Sequence, residues 1–239
     1  MPFLRAFGSY LPARVVDNAE LSAKLQCDPQ WILNVSGISE RRYATDSETV
    51  VDLAVAAASD CLARASVGEI GLLILATGSA ERRFPGPAAE TAARLGMAGI
   101  PAIDLPMASA GSLFGLALAS RLAPSFGRVL VIAAEKMSAV ISHPPLDANT
   151  AILFGDGAGA CLVDPAEGPA EIVDACLHSD GASAGACVVR ALRGGLLLLQ
   201  SGARGETITI APPLVISPAQ LERGLELLES AVLEKIPAA

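Results

Sequence analysis

The sequence predicts an α/β fold with a mostly parallel sheet, and two patterns in its first 148 residues indicate it. Apolar segments of strand length alternate with longer segments of helical periodicity, and the strand segments are continuously apolar. A β-α-β-α-β order favours parallel strands covered by helices on both faces, and strands buried on both faces have this unbroken pattern. The 239 residues, 52% of them hydrophobic, suffice for one large domain or two small ones.

The elements follow in chain order. Strands are predicted at residues 70–77 (IGLLILAT), 100–105 (IPAIDL) and 128–135 (RVLVIAAE). Helices are predicted at residues 47–65, 87–96 and 108–122. Ser47 is the expected N-cap of the first helix, because a serine directly before an apolar periodic segment is a common helix start.

The pattern changes after residue 148 to two strand-like segments with glycine turns, which predict a hairpin. Gly155, Gly157 and Gly159 have the spacing of a nucleotide-binding loop. A strand-like ACLV segment follows them instead of a helix, so a close-packed turn is favoured over a phosphate cradle.

The last fifty residues predict a small α+β tail. Two short apolar segments precede SPAQLERGLELLESAVLEK, in which Ser217 and Gln220 form a capping box with proline at the first helical position. Leu221, Leu225, Leu228 and Val232 then share one face of a helix of about five turns.

Composition excludes several classes of function. The net charge is −8 and no basic run occurs, which argues against nucleic acid as a partner. The five cysteines are scattered without a C-x-x-C pair, so neither a disulfide framework nor a metal site is expected. No apolar run is long enough for a bilayer, and we expect a soluble, cytoplasmic protein.

Ser109 is the candidate functional residue that the pattern singles out. It stands in DLPMASAGSLFGL, between a strand end and a helix. It is either the cap of that helix or a nucleophile at the helix N-terminus. A triad of Ser109, His143 and Asp147 is disfavoured because His143 lies in a proline-rich loop, and His178 is interpreted as a turn residue.

The first 185 residues resemble the N-terminal half of β-ketoacyl-acyl-carrier-protein synthase III, in family order and spacing. The matching segments are GSYLPARVVDNAEL (8–21), WILNVSGISERRYA (31–44), LLILATGSAERRFPGPAA (72–89), AIDLPMASAGSLFGL (102–116), ILFGDGAGACLV (152–163) and LHSDG (177–181). The resemblance implies one half of a layered thiolase-like fold in a homodimer. It also implies acyl transfer from acyl-coenzyme A to malonyl-carrier protein in fatty-acid or polyketide initiation, without a resident cofactor or metal.

Three departures from the family bear on that activity. Ser109 stands where the family has its nucleophilic cysteine, and a serine hydroxyl needs an adjacent base. The family's histidine and asparagine motifs do not occur, since no histidine follows His178 and no asparagine follows Asn149. We therefore expect weak or no condensing activity.

The coenzyme A entrance is matched in part. Trp31 occupies the position of the family tryptophan that stacks on adenine, although a purely apolar packing role explains it equally well. Two family arginines are replaced by Val35 and Ala148, so weaker coenzyme A binding is expected. Phe84 matches the residue that reaches into the partner's acyl pocket in the family dimer.

Residues 190–236 resemble a different family, the C-terminal segment of class III pyridoxal-phosphate aminotransferases. The resemblance rests on GLLLL, PPLVI and the closing GLELLE helix. The predicted domains are therefore residues 1–185, a synthase-like half, and residues 186–239, an aminotransferase-like segment without that family's active site. The alternative function is a non-catalytic module for dimerisation or carrier-protein binding.

Overall fold

A computed structural model describes residues 1–66, 68–143, 146–175, 177, 199–201, 207–209 and 217–233. The chain divides into two compact units, residues 1–175 and residues 176–239. The predicted boundary at residue 185 falls among residues 178–198, outside the described residues, and it stays a prediction.

The first unit is built on a six-stranded sheet with the order β5-β4-β6-β7-β1-β8. These strands are β1 (Phe3–Tyr10), β4 (Leu72–Ala76), β5 (Ala102–Leu105), β6 (Val129–Lys136), β7 (Asp156–Asp164) and β8 (Ala170–Glu171). A separate pair is formed by β2 (Arg14–Asp17) and β3 (Glu40–Tyr43). The helices are α1 (Asn18–Leu25), α2 (Pro29–Ser36), α3 (Val50–Ala65), α4 (Pro87–Arg94), α5 (Gly111–Phe126), α6 (Met137–Val140) and α7 (Ala148–Ala151).

The sheet is mixed, which differs from the mostly parallel sheet expected within the confirmed α/β class. The three strands predicted from their apolar runs are parallel, with β4 between β5 and β6. In contrast, β7 runs antiparallel to β6 and β1, and β8 runs antiparallel to β1. Residues 137–155, which include the short helices α6 and α7, connect β6 to its antiparallel neighbour β7.

The hairpin predicted after residue 148 is wrong. Residues 148–151 are helical, and β8 pairs with β1 rather than with β7. Strand β7 itself is inserted between β6 and β1. Its unbroken apolar end, Cys161–Val163, is buried by helices on both sides of the sheet.

Helix α3 covers one face of the sheet and begins one turn later than the sequence suggested. Its N-cap is Thr49, not Ser47: the Thr49 hydroxyl accepts the Asp52 amide at 3.2 Å, and the Asp52 carboxylate accepts the Thr49 amide at 2.7 Å. Ala54, Ala57 and other small side chains of α3 pack on the sheet residues Leu73, Leu130 and Leu162.

Helix α5 covers the opposite face through two glycines. A Cβ at Gly111 would lie 2.9 Å from the Ala76 Cβ, and one at Gly115 would lie 2.8 Å from the Val131 Cγ1. The helix backbone therefore packs closely on the side chains of β4 and β6. On β1 and just after it, Phe7 and Leu11 are 55% and 64% exposed.

The second unit contains β9 (Leu199–Ser201), antiparallel to β10 (Thr207–Thr209), and helix α8 (Pro218–Leu233). The predicted capping box is confirmed, since the Gln220 amide donates to the Ser217 hydroxyl and the Ser217 amide donates to the Gln220 side chain. Among the described residues, no helix is long and apolar enough to cross a membrane.

Candidate active site

Ser109 lies on a tight turn between β5 and α5. Its backbone is left-handed, with φ +50°, a conformation that costs a residue with a Cβ roughly 1–2 kcal/mol. The Met107 amide donates to the Leu105 carbonyl at 2.7 Å, and the Gly111 amide donates to the Ala108 carbonyl at 3.3 Å. These two bonds lock the turn on both sides of the serine.

The helix-cap interpretation of Ser109 is wrong. Helix α5 begins at Gly111, its N-cap is Ala110, and no side chain caps the amides of its first turn. Ser109 thus precedes the cap, and its contact with the helix is through its carbonyl, which accepts the Ser112 hydroxyl at 3.1 Å. The hydroxyl of Ser109 is left at an exposed position before an uncapped helix N-terminus.

The exposed serine lines a cavity of about 350 Å³ on the α5 side of the sheet. Strand residues alternate between the two faces, so Ala76, Ala133 and Glu135 share the face of the α5-side core residues Ile74 and Val131. The lining residues are Leu11, Ala76, Met107, Ser109, Ser112, Ala133, Glu135, Gly157, Ala158 and Gly159.

The floor of the cavity is low because small residues meet across three strands. Ala133 is paired with Ala76 on one side and Gly159 on the other, and Glu135 is paired with Gly157. A Cβ at Gly159 would meet nothing within 4 Å. The wall and floor are therefore mainly apolar, with space for a hydrocarbon chain.

Glu135 is the one ionisable side chain among the described residues that line the cavity. Burial raises the pKa of its carboxyl, and hydrogen bonds from Ser79 and Gly78 act in the opposite direction. The Gly78 amide donates to Glu135 Oε1 at 2.8 Å, and the Ser79 hydroxyl donates to Oε2. Sequence reasoning missed this residue, because the acidic end of RVLVIAAE carries no sign of the neighbouring turn.

The arrangement suits the transfer of an acyl group to a hydroxyl. The mainly apolar cavity can hold the chain, and the amides of an uncapped helix N-terminus favour the negative charge that develops on a carbonyl oxygen. A serine needs a base for such a step. The triad that the sequence disfavoured does not supply one: His143 and Asp147 are exposed and do not line the cavity, and Asp147 caps α7.

Trp31 lies half-buried on α2, where it packs against a small core that includes Val16, Ile32 and Ile152. Val35 is one helical turn further on and 56% exposed, so these two positions share one side of α2. Ala148, the other position for which the resemblance implies an arginine, begins α7. The packing of Trp31 is compatible with both the apolar role and a stacking surface.

Phe84 is 92% exposed on the segment between β4 and α4. Aromatic side chains are enriched where protein surfaces meet. It does not line the cavity of its own chain.

The glycine-rich segment is part of a strand rather than a nucleotide loop or a turn. Gly157 and Gly159 lie on β7, and no helix follows them before β8. The close-packed turn favoured from the sequence is therefore wrong, and the phosphate cradle that it was preferred to is not formed either. His178 lies outside the described residues, and within those residues no three His, Cys, Asp or Glu side chains converge on a metal position.

Comparison with known proteins finds similarity to the synthase III family that the first 185 residues resemble. Residues 103–181 match the family model of 3-oxoacyl-[acyl-carrier-protein (ACP)] synthase III. The chain is 40% identical over 178 residues to β-ketoacyl-[acyl-carrier-protein] synthase III 1 of Vibrio cholerae, covering 73% of this chain and 55% of the relative. It is also 40% identical over 187 residues to the Rhodobacter capsulatus synthase III, covering 74% and 57%.

Solved structures confirm the thiolase-like α/β fold. The Aquifex aeolicus 3-oxoacyl-[acyl-carrier-protein] synthase III superposes with a TM-score of 0.70 at 35% identity, covering 76% of this chain and 59% of that one. The Pseudomonas aeruginosa synthase III gives 0.71 at 30% identity, covering 93% and 62%. This chain thus spans little more than half the length of the curated relatives it matches.

Proposed function

We propose that the chain is an acyltransferase domain of the 3-oxoacyl-acyl-carrier-protein synthase III kind, in which Ser109 accepts an acyl group from a thioester. One observation carries this proposal. Ser109 holds a strained left-handed backbone, outside the helix cap, at the wall of a mainly apolar cavity. Strain of this kind persists where a side chain must be held in one direction, and it concentrates at functional sites.

Acyl-coenzyme A is the proposed donor, with fatty-acid or polyketide initiation as the setting. The named synthases among the similar proteins support this choice, and one similar structure is the priming β-ketosynthase of the R1128 polyketide pathway, at 30% identity and a TM-score of 0.68. Trp31 is the proposed adenine contact. Without arginines at Val35 and Ala148 the phosphates lose charge-assisted hydrogen bonds, so we propose weak affinity.

We further propose that these 239 residues do not catalyse decarboxylative condensation by themselves. No histidine follows His178 and no asparagine follows Asn149 in the sequence. A serine nucleophile also forms an oxygen ester, which is a poorer acyl donor than a thioester. In this proposal the chain accepts an acyl group on Ser109 but does not carry out the condensation that extends the acyl chain.

Intact-protein mass spectrometry after incubation with acetyl- and longer acyl-coenzyme A tests the proposal. We expect one added acyl group on the wild type and none on Ser109→Ala. The Ser109→Cys variant, which restores a thiol, should acquire the group faster. Malonyl-dependent condensation by the pure wild type would overturn the proposed loss of condensing activity.

A second candidate is a non-catalytic module that forms a homodimer or binds a carrier protein. Its support is the exposed Phe84 and the strand β5, which is an edge of the sheet with Ile103 40% exposed. An edge strand offers unpaired backbone groups to a second strand. Light scattering of the pure protein is the test: a dimer together with no acyl adduct would favour this candidate, and a monomer would oppose it.

For the tail, we propose descent from the C-terminal segment of an aminotransferase, without its activity. The strand pair β9 and β10 followed by helix α8 supports the proposed strand, strand, helix order. Addition of pyridoxal phosphate should produce no protein-bound absorbance band.

The cytoplasm is the proposed place of action, in keeping with the free thiols of Cys27, Cys61 and Cys161.

A further inference from the structure

Glu135 is joined to the turn that follows β4. Its Oε1 accepts the Gly78 amide at 2.8 Å, and its Oε2 accepts the Ser79 hydroxyl and, at 3.4 Å, the Thr77 hydroxyl. Thr77 and Ser79 are 5% and 8% exposed. A half-buried carboxylate thus binds three consecutive residues of one turn.

The same turn is tied to the neighbouring parallel strands. The Thr77 amide donates to the Leu105 carbonyl at the end of β5 at 3.1 Å, and the Lys136 amide donates to the Ser79 hydroxyl at 2.8 Å. Glu135 and its partners therefore connect the carboxyl ends of β4, β5 and β6. Loops that carry active-site groups gather at this edge of a parallel sheet.

The turn presses directly on the segment that carries Ser109. A Cβ at Gly78 would lie 2.7 Å from the Ala108 Cβ and 3.1 Å from the Ala108 amide nitrogen. Only glycine allows this approach, so the position of the Gly78 backbone fixes that of Ala108. Ala108 immediately precedes the strained Ser109.

We infer that Glu135 is a positioning residue for Ser109: its carboxylate fixes the turn of residues 77–79, and that turn fixes the backbone from which the Ser109 side chain projects. The inference deepens the proposed acyl transfer and rests on it for its biological meaning. Its structural content, that the side chain at position 109 is held by Glu135, can be tested without any acyl donor.

A pure charge effect and a purely structural role of Glu135 would each give a different result from positioning. If Glu135 acts only as a nearby negative charge, its removal stabilises an anion at position 109. If Glu135 is only a buried structural group, its removal lowers the stability of the fold without a specific effect at position 109. Lys136 does not complicate the comparison, because its ammonium group lies on the α3 side and donates to the carbonyls of Thr45 and Glu48.

The test uses the full chain with Ser109→Cys, alkylated by iodoacetamide over a range of pH. Because the chain has five other cysteines, alkylation is followed by mass spectrometry on the tryptic peptide that contains position 109. The rate reports the thiolate fraction and hence the thiol pKa at this position. Four further variants are compared in that background: Glu135→Ala, Glu135→Gln, Gly78→Ala and, as a matched control, the exposed Glu171→Gln. Circular dichroism and urea unfolding show which variants are folded.

A positioning role predicts that Glu135→Ala and Gly78→Ala both raise the thiol pKa by about one pH unit, because the thiol moves away from the helix N-terminus. Alkylation below that pKa then slows by about tenfold. Glu135→Gln keeps an acceptor oxygen, so its thiol pKa should lie between that of Glu135→Ala and that of the Ser109→Cys protein alone. Glu171→Gln should have no effect.

Gly78→Ala provides the decisive comparison, because it leaves the charge of Glu135 in place. A lowered thiol pKa in Glu135→Ala, with none of the predicted rise in Gly78→Ala, would overturn the inference in favour of a charge effect. Unchanged alkylation in both variants would overturn it in favour of a structural role. If Glu135→Ala does not fold, Glu135→Gln and Gly78→Ala decide. A wild type that fails to take an acyl group would refute the proposed function and leave these outcomes unaffected.

Discussion

At the residue scale, Ser109 shows why a sequence pattern alone did not identify its role. A serine before an apolar helix fits a cap and a nucleophile equally well, because both place a hydroxyl near the helix N-terminus. The backbone angle decides between them. With φ at +50° and Ala110 as the cap, the serine stands outside the helix, which the sequence could not show.

Substitution of Ser109 tests this geometry through stability. Ser109→Gly should be more stable than Ser109→Ala by about 0.5–1 kcal/mol, since glycine relieves the left-handed strain and part of that gain is lost to chain entropy. Ser109→Ala should lie within about 0.5 kcal/mol of the wild type. Urea unfolding measures all three. A loss of about 1 kcal/mol in Ser109→Ala would instead indicate a helix cap.

Glu135 marks the other limit of sequence reasoning at this scale. Its function depends on a turn 57 residues earlier, whose Gly78 amide it accepts. The local sequence around Glu135 does not indicate that its partner is the turn at Gly78. Trp31 and Phe84, in contrast, could be singled out by family position, and their exposure agrees with a place at or near the surface.

At the scale of the element, α3 shows that a capping box decides where a helix begins, here with the N-cap two residues after Ser47. Both Ser47 and Thr49 are able to cap, yet only Thr49 has an acidic residue three positions later, Asp52, that returns the hydrogen bond. The reciprocal bond places the helix start at Val50.

Removal of each hydroxyl separates the two cap positions. Thr49→Ala should lower the free energy of unfolding by about 1 kcal/mol. Ser47→Ala should change it by less than about 0.5 kcal/mol, because Ser47 is exposed and bonds only to Thr45 among the described residues. Thermal and urea unfolding provide the measurement, and equal losses in the two variants would contradict the assigned cap.

The same box predicts a pH dependence. The Thr49 hydroxyl and amide and the Arg94 guanidinium lower the pKa of Asp52 from 3.8 to about 2. A carboxyl whose pKa is lower in the folded state than in the unfolded state stabilises the fold at pH values above its unfolded-state pKa. That stabilisation is lost as the pH falls through the folded-state pKa. Between about pH 4 and about pH 2, Asp52→Asn should therefore lose less stability than the wild type.

Urea unfolding across that pH range is the measurement, with the exposed Asp46→Asn as the matched variant. Asp46→Asn should follow the wild-type curve. Parallel curves for Asp52→Asn and the wild type would show that the capping box contributes nothing to acid sensitivity.

Helix α5 depends on a close approach that the sequence could suggest only through its glycines. A Cβ at Gly115 would lie 2.8 Å from the Val131 Cγ1. Gly115→Ala should therefore destabilise the fold by about 1–2 kcal/mol, although alanine favours a helix elsewhere. Gly159→Ala, with open space around its Cβ, should be close to neutral. Comparable effects in the two variants would argue against tight packing of α5.

At the scale of the whole molecule, the parallel strands could be predicted and the antiparallel ones could not. Continuous apolar runs identify β4 and β6, because strands buried on both faces require them. The apolar segment of β5 is identified as well, although β5 is an edge strand in which Ile103 and Asp104 are exposed. The place of β7 between β6 and β1 depends on pairing with the first strand of the chain, about 150 residues earlier. Local sequence carries no signal for so distant a partner.

The cavity depends on both the local turn and the arrangement of the whole sheet. Its lining comes from the turn of Ser109, from β4 and β6, and from β7. A family resemblance could indicate the serine. It could not show that the antiparallel strand supplies the glycines of the floor, which follow from the register of β6 and β7. The central claim is that this cavity delivers an acyl group to Ser109.

Locating the acyl group by tandem mass spectrometry tests that claim most directly. After incubation with acetyl-coenzyme A, trypsin releases Ser109 in the peptide Leu95–Arg121, which also contains Ser112 and Ser120. We predict acetylation of Ser109 in the wild type and no acetylation of this peptide in Ser109→Ala. A wild-type peptide without acetyl, or an acetyl group that persists elsewhere in Ser109→Ala, would contradict the assignment of Ser109 as the acyl acceptor.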